Sequence, residues 1–209
     1  MTSTAAPFGM LPVRKVGGKA YTGALGHYNI QNGTTGSMFL GDPVRLRSGY
    51  IIPCTVAGGA LDVCIGVFMG CRYNDPVSKR PVWSPYYPTG TSSHGLIDGR
   101  PNPIAMIADD PDTIFKVQAN ASVTVGDIGL NFLVSVSVGS SVAQTNAVGL
   151  SRAHLEAASR VSTAAFVKMV GLYQMPGNSF SNDNTADTNP IVEVVINAHQ
   201  LRTALTSTA

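Results

Sequence analysis

In the run Leu133-Val134-Ser135-Val136-Ser137-Val138, apolar and polar side chains alternate from Val134 onward. On an extended chain, successive side chains point to opposite faces, so this pattern puts one set in a core and the other outside it. Thr113-Ile114-Phe115-Lys116-Val117-Gln118 alternates in part. Further short runs rich in Val, Ile, Thr and aromatics lie at Ser37–Leu40, Val44–Leu46, Tyr50–Val56, Cys64–Tyr73, Ile104–Ile107, Ile114–Ala119, Asn131–Val138, Ala164–Tyr173 and Ile191–Ile196. The 22 glycines and 13 prolines fall largely between these runs, where they punctuate strands with turns. The pattern predicts an all-β, antiparallel-sheet protein.

One segment departs from it. Ser151–Arg160, SRAHLEAASR, is rich in helix-forming Ala, Leu and Glu, and Ser151 is placed to cap it. A single short helix is expected there, docked on the sheet because ten residues are marginal alone. Residues 1–37, with seven glycines and two prolines, read as an extended N-terminal arm. Residues 38–209 then form the β-rich domain, with long loops at 74–103 and 176–190. The first loop is Pro-rich and carries Trp83, Tyr86 and Tyr87; the second is rich in Asn, Asp, Ser and Thr. Loops of this length in a compact domain are commonly functional or disordered. A faint internal echo is also visible. Gly41-Asp42 leads on to Ile65-Gly66-Val67-Phe68, and Gly126-Asp127 leads on to Val170-Gly171-Leu172-Tyr173. Chance and a pair of related β-elements are both open readings of it.

Composition then shifts attention from chemistry to contact. Only 12% of residues are charged, about half the usual share, and Glu156 and Glu193 are the only glutamates. Interfaces that persist are depleted in charge, so the expectation is a surface largely covered by other protein. The formal charge is +2 with no basic stripe, which argues against a nucleic-acid partner. No run is long enough to span a bilayer and no signal peptide is recognisable, so synthesis in a cytosol is expected, with exit only inside a larger particle.

Candidate chemistry is sparse. Cys54, Cys64 and Cys71 are odd in number and lack zinc-ligand spacing, so they read as small buried hydrophobes. His27, His94, His154 and His199 sit in unrelated contexts, and a Cys71–His94 pair has nothing in its spacing to support it. Asp109-Asp110-Pro111-Asp112 reads as a turn, because Asp bonds nearby amides and Pro presets a corner. Asn182–Asp187 places oxygen ligands at alternate positions but lacks the glycine and terminal glutamate of a calcium loop. Neither a catalytic group nor a cofactor nor a metal is expected. The apolar side chains Phe8, Met10 and Leu11 of the arm, with Trp83, Tyr86 and Tyr87, are the candidate interface residues, since aromatics dominate interface hot spots. If the three aromatics lined a groove they would suit a glycan.

Phe39-Leu40-Gly41-Asp42-Pro43-Val44, Gly49-Tyr50-Ile51 and Ile65-Gly66-Val67-Phe68-Met69-Gly70-Cys71 carry a resemblance. So do Trp83-Ser84-Pro85-Tyr86-Tyr87-Pro88, Asp109–Phe115, Val192–Asn197 and the opening Pro7–Arg14. Together they resemble the head decoration, or cement, proteins of tailed bacteriophages. The likeness spans most of the chain but its pieces are short. It implies a barrel-like, tulip-like or jelly-roll-like domain, trimeric, on the outside of the capsid. There such proteins bind the major capsid protein and neighbouring cement subunits and hold capsomers together against internal DNA pressure. Its residues would serve structure only, and its location would be the virion. This chain is longer than small decoration proteins of that kind, and the extra loops leave the binding mode open. A tail or fibre protein that binds a host glycan is the competing virion role. The major capsid protein itself is disfavoured, because it is usually longer and carries a long helix.

Overall fold

In the computed structural model the chain is described at residues 5–31, 37–54, 63–75, 77–87, 102–136, 149–163, 165–173 and 188–202. The runs of β-branched and aromatic residues form strands there, as the alternation predicts. In chain order these are β1 (Leu11–Lys15), β2 (Gly26–Ile30), β3 (Met38–Phe39), β4 (Pro43–Arg47), β5 (Tyr50–Pro53), β6 (Gly66–Asn74) and β7 (Pro81–Ser84). They continue with β8 (Tyr86–Tyr87), β9 (Ile104–Ala108), β10 (Thr113–Gln118), β11 (Asn131–Ser135), β12 (His154–Val161), β13 (Val167–Leu172) and β14 (Ile191–Ile196). The protein is all-β; among the described residues the only helical piece is a single 3-10 turn, Val125–Asp127.

One sheet closes on itself. Its order is β4-β5-β2-β9-β6, and β6 pairs back to β4, giving a closed five-strand barrel with β7 added on the far half of β6. The β4–β5 hairpin turns on Ser48 and Gly49, with φ of 49° and 82°. Positive φ at both central residues is what a tight two-residue hairpin needs. All pairings in this barrel are antiparallel except β2 with β5. The second sheet has the order β1-β10-β14-β13-β11-β12. It curls until Ala119, just past β10, bridges Leu155 of β12, and Asn120 N–H donates to Leu155 O at 3.0 Å. A small ribbon of β3 and β8 lies beside the first barrel.

The helix expected at Ser151–Arg160 is not formed; the segment enters β12. Ser151, Ala153, Leu155 and Ala157 are buried, and the residues between them, Arg152, His154 and Glu156, are not. That is period two. Helix propensity separates these residues by only tenths of a kcal/mol, whereas burying Leu155 in the second core contributes about 2 kcal/mol. Tertiary packing decides the outcome.

The N-terminal stretch is extended, and it is built into both sheets. Its β1 pairs with β10 and its β2 with β9. Met10 is wholly buried, and its N–H donates to Gly41 O at 2.9 Å. The loop expected at 74–103 contributes β7 and β8, and residues 88–101 lie outside the described set. Most of the 176–190 loop, including Asn182–Asp187, also lies outside it.

Two cores result. Ile30, Val44, Ile51, Ile65, Phe68, Tyr87 and Ile107 fill the first barrel. Phe115, Phe132, Val134, Leu155, Met169 and Val194 fill the second, and this cluster continues through Cys54, Cys64, Val67 and Ala108 of the first sheet. The barrels are therefore joined by packed apolar surface. Hydrogen bonds stitch the same seam. Leu40 N–H donates to Gly149 O and Ser151 N–H to Leu40 O, at 3.1 and 2.9 Å. The Gln200 amide exchanges bonds of 2.7 and 2.9 Å with both backbone groups of Leu46.

Candidate binding surface

The β6–β7 hairpin is built by two local devices. Asp75 organises its turn: the Asp75 carboxylate accepts from Ser78 N–H at 2.9 Å, and Lys79 N–H donates to Asp75 O at 2.9 Å. Lys79 itself takes the left-handed conformation, φ 57°. At the other end, Gly70 sits at the irregularity in the β6–β9 register with φ 136°. A Cβ on Gly70 would meet Ser84 O at 3.0 Å and the Trp83 indole at 3.2 Å. The glycine lets the indole come close to β6.

Trp83 is nevertheless 58% exposed, and Val77 at the hairpin tip is 89% exposed. Strand β7 ends its sheet, so its outer backbone edge faces outward among the described residues. Tyr86, two residues beyond β7, is 39% exposed. Its ring stacks on Phe39 with centroids 5.9 Å apart and planes 14° off parallel. An apolar, partly aromatic surface thus borders an open strand edge.

The sequence candidates divide sharply. Trp83 and Tyr86 are presented on the surface. Tyr87, the next residue along an extended chain, points the other way and is 1% exposed. It packs edge-on against Tyr73 inside the first barrel. The three aromatics therefore do not line one groove. In the N-terminal stretch, Met10 belongs to the second core and Phe8 and Leu11 are half-buried. Phe8 lies 5.8 Å from the Lys116 ammonium, which also sits 5.1 Å from the Tyr173 ring, and Leu11 pairs with Lys116 across β1 and β10. Ala6 N–H donates to the Gln118 side chain at 2.8 Å. These apolar residues hold the chain to its own second barrel. What sequence reading missed is Val77, whose signal was a lone valine inside the polar turn Asp75–Arg80.

The second barrel carries exposed apolar residues of its own, Val125, Ile128 and Val161. They flank the ion pair of Arg160 with the buried Asp127, 3.3 Å long. Asp127 also accepts from Thr124 N–H at 2.7 Å, which fixes the 3-10 turn.

Among titratable groups, burial dominates. Burial pushes the Cys71 thiol up to about 12, far from the thiolate a nucleophile needs; Cys54, Cys64 and Cys71 are all buried thiols. Tyr28 is raised to about 12, first by burial and then by donating to Asp109 at 2.7 Å. His199 is lowered by burial, against the pull of Asp109 and Asp110. Asp109–Asp112 forms the β9–β10 turn, where Asp112 N–H donates to the Asp110 carboxylate at 2.8 Å. Asp42 is the most perturbed carboxyl. It is 6% exposed at the seam between the barrels. There it accepts from Phe39 N–H at 2.8 Å and from the Ser151 hydroxyl. Burial outweighs both bonds and raises it to about 6. Among the described residues no group of three His, Cys, Asp or Glu side chains is gathered to hold a metal, and no helix is long and apolar enough to cross a membrane.

No protein-family model matches the chain, and no curated protein and no solved structure is significantly similar to it.

Proposed function

We propose that this protein is a structural component of a tailed-bacteriophage virion, bound as a homotrimer to the outside of the capsid, where it ties capsomers together. The observation that carries the reading is the β6–β7 hairpin. It offers Val77 and Trp83 at an open sheet edge, on a chain with 14 basic and 12 acidic residues among 209. Exposed apolar groups at an edge are a liability in a free monomer. They are an asset in a protein that spends its working life against others.

The energetics suit a lattice ligand. An aromatic side chain carries up to about 250 Å². Covering the exposed 58% of Trp83 therefore contributes roughly 3–4 kcal/mol at about 25 cal/mol per Å². One such contact is weak, but three per trimer act at high effective concentration. A ligand that binds the assembled shell and not its free subunits stabilises the shell by mass action.

Trp83 is the chain's single tryptophan, so it reports its own docking. Mixed with expanded phage heads that lack their decoration protein, the protein should co-sediment and its emission should shift to the blue. Trp83→Ala should fold normally and lose most occupancy. A protein that never sediments with heads, or whose emission and occupancy ignore Trp83, refutes this reading. Light scattering tests the trimer.

A further inference from the structure

The two barrels are one structure built twice. The first has the cyclic order β4-β5-β2-β9-β6 and the second β11-β12-β10-β14-β13, and matching them strand for strand preserves chain order. The match extends to single residues. Leu46 faces Ile51 as Val134 faces Leu155, and Phe68 faces Ile107 as Met169 faces Val194. Both register breaks fall at a glycine, Gly70 and Gly171. The last strand of each barrel opens on the same tripeptide, Asn102-Pro103-Ile104 and Asn189-Pro190-Ile191. The corner ahead of β4 recurs ahead of β11 bond for bond. Gly41 and Gly129 have φ of 97° and 95°, and their N–H groups donate to Phe68 O and Met169 O at 2.8 and 2.9 Å. Phe68 N–H returns a bond to Asp42 O and Met169 N–H to Leu130 O, at 2.8 and 3.0 Å. Asp42 N–H donates to Phe39 O and Leu130 N–H to Asp127 O, at 2.9 and 3.0 Å. The sequence echo noted above was real in kind but slipped in register: Gly41 answers Gly129 and not Gly126.

At this corner one side chain differs in kind. The place that the partly buried Leu130 holds in the second repeat belongs to Asp42 in the first. The backbone bonds are the same with either residue, so the carboxyl is not what builds the corner. What surrounds it is the seam between the barrels. Three uncharged stretches meet around Asp42: Phe8–Met10, Leu40–Gly41 and Gly149–Ser151. They approach closely, for a Cβ on Gly9 would lie 2.7 Å from Ser151 Cβ and 2.9 Å from Gly41 Cα. One carboxyl oxygen of Asp42 accepts from Phe39 N–H and the other from the Ser151 hydroxyl. Ser151 Oγ accepts in turn from Ala153 N–H at 2.9 Å. Burial, Ser151 and Phe39 N–H are the influences on its proton; Arg152, next to Ser151, is exposed. A carboxylate here gives up its hydration for two hydrogen bonds and no cation, and a buried charge without a counter-charge is costly.

We propose that Asp42 makes the joint between the two barrels proton-sensitive: closed while the carboxyl keeps its proton, and opening locally once the proton is lost. Opening separates Leu40 from Gly149 and Ser151, whose mutual bonds are the ones that cross here, and lets water reach the carboxylate. The sign follows from the two environments. Closed, the group sits at about 6; open and hydrated, it returns towards 3.8. The closed form therefore gains most below about pH 4, loses that gain as pH rises to about 6, and changes little above it. A gap of about 2 units allows up to about a hundredfold change in the opening equilibrium. The second repeat, with Leu130 at the matching place, has no such group at its corner. The inference concerns the molecule alone and stands apart from the capsid reading.

Amide hydrogen exchange, read residue by residue on the full chain from pH 4 to pH 7 and corrected for the intrinsic rate, tests this. The amides of Leu40 and Ser151 should lose at least tenfold in protection across that range. At pH 7 they should exchange at least tenfold faster than Gly129 and Met169, the bonded amides of the matching corner, and respond little to low guanidinium, as a local opening requires. Asp42→Asn should hold Leu40 and Ser151 at their acid protection throughout. The Asp42 carboxyl carbon, followed by NMR in the wild-type protein, needs no variant and should titrate near 6. Constant protection at Leu40 and Ser151 overturns the proposal. So does exchange of that pair in step with Gly129 and Met169, which leaves only unfolding of the whole molecule. A pH response that survives Asp42→Asn overturns it too, as does titration of Asp42 in the ordinary carboxylate range of about 4.

Discussion

Replacing Asp42 by asparagine should make the protein more stable at neutral pH and flatten its response to acid. The carboxyl is 6% exposed at the seam between the barrels, and burial lifts it from 3.8 to about 6. A folded value above the unfolded one means that the protonated form is favoured by folding. The contribution is therefore complete below about pH 4 and is lost as pH rises through about 6. A gap of about 2 units at about 1.4 kcal/mol each gives roughly 3 kcal/mol. For a chain of this size that is a Tm shift of about 6–12 °C. Asparagine copies the protonated acid: its oxygen accepts from Phe39 N–H and its NH2 donates to Ser151 Oγ. Thermal unfolding followed by circular dichroism from pH 4 to pH 8 reads the effect. The wild-type Tm should fall relative to that of Asp42→Asn across this window, with most of the change between pH 4 and 7. A difference in Tm that stays constant from pH 4 to 8 would refute the reasoning, because it would mean that the carboxyl does not change charge state at this seam.

Three further outcomes are expected. Phe132→Ala, at a wholly buried position in the second core, should cost about 3–5 kcal/mol, visible as a lower denaturation midpoint in guanidinium. Arg14→Ala should cost less than about 1 kcal/mol, although Arg14 lies 2.6 Å from Glu193, because its side chain is 40% exposed; a larger loss would mark this pair as part of a cooperative network. Cys54, Cys64 and Cys71 should all resist a thiol reagent in the native protein and react together after denaturation, since each is buried.

The strands were readable wherever one face is buried and the other is less so, as in Phe132-Leu133-Val134-Ser135, because alternation records burial directly. Ser151–Arg160 carried the same alternation, with Ser151, Ala153, Leu155 and Ala157 inward. It was obscured because alanine is both the best helix former and a good small residue for a crowded sheet interior. Among the interface candidates, exposure at Trp83 and burial at Tyr87 could not be told apart in advance. Both are aromatic, both lie within two residues of a proline, and the side each faces is set by pairing with β6 and β3. The repeat was only half legible. Its surest trace, Asn-Pro-Ile ahead of β9 and β14, is a tripeptide, and the rest of the correspondence lies in hydrogen-bond register, which leaves little mark on side-chain identity.

The placement of β1 has a consequence for how the molecule comes into being. It precedes every other described strand, yet β10, to which it belongs, is separated from it by the whole first barrel. Pairing of β1 with β10 must therefore wait until every strand of the first barrel has been made, and the barrel that is made second is the one the chain's opening strand completes.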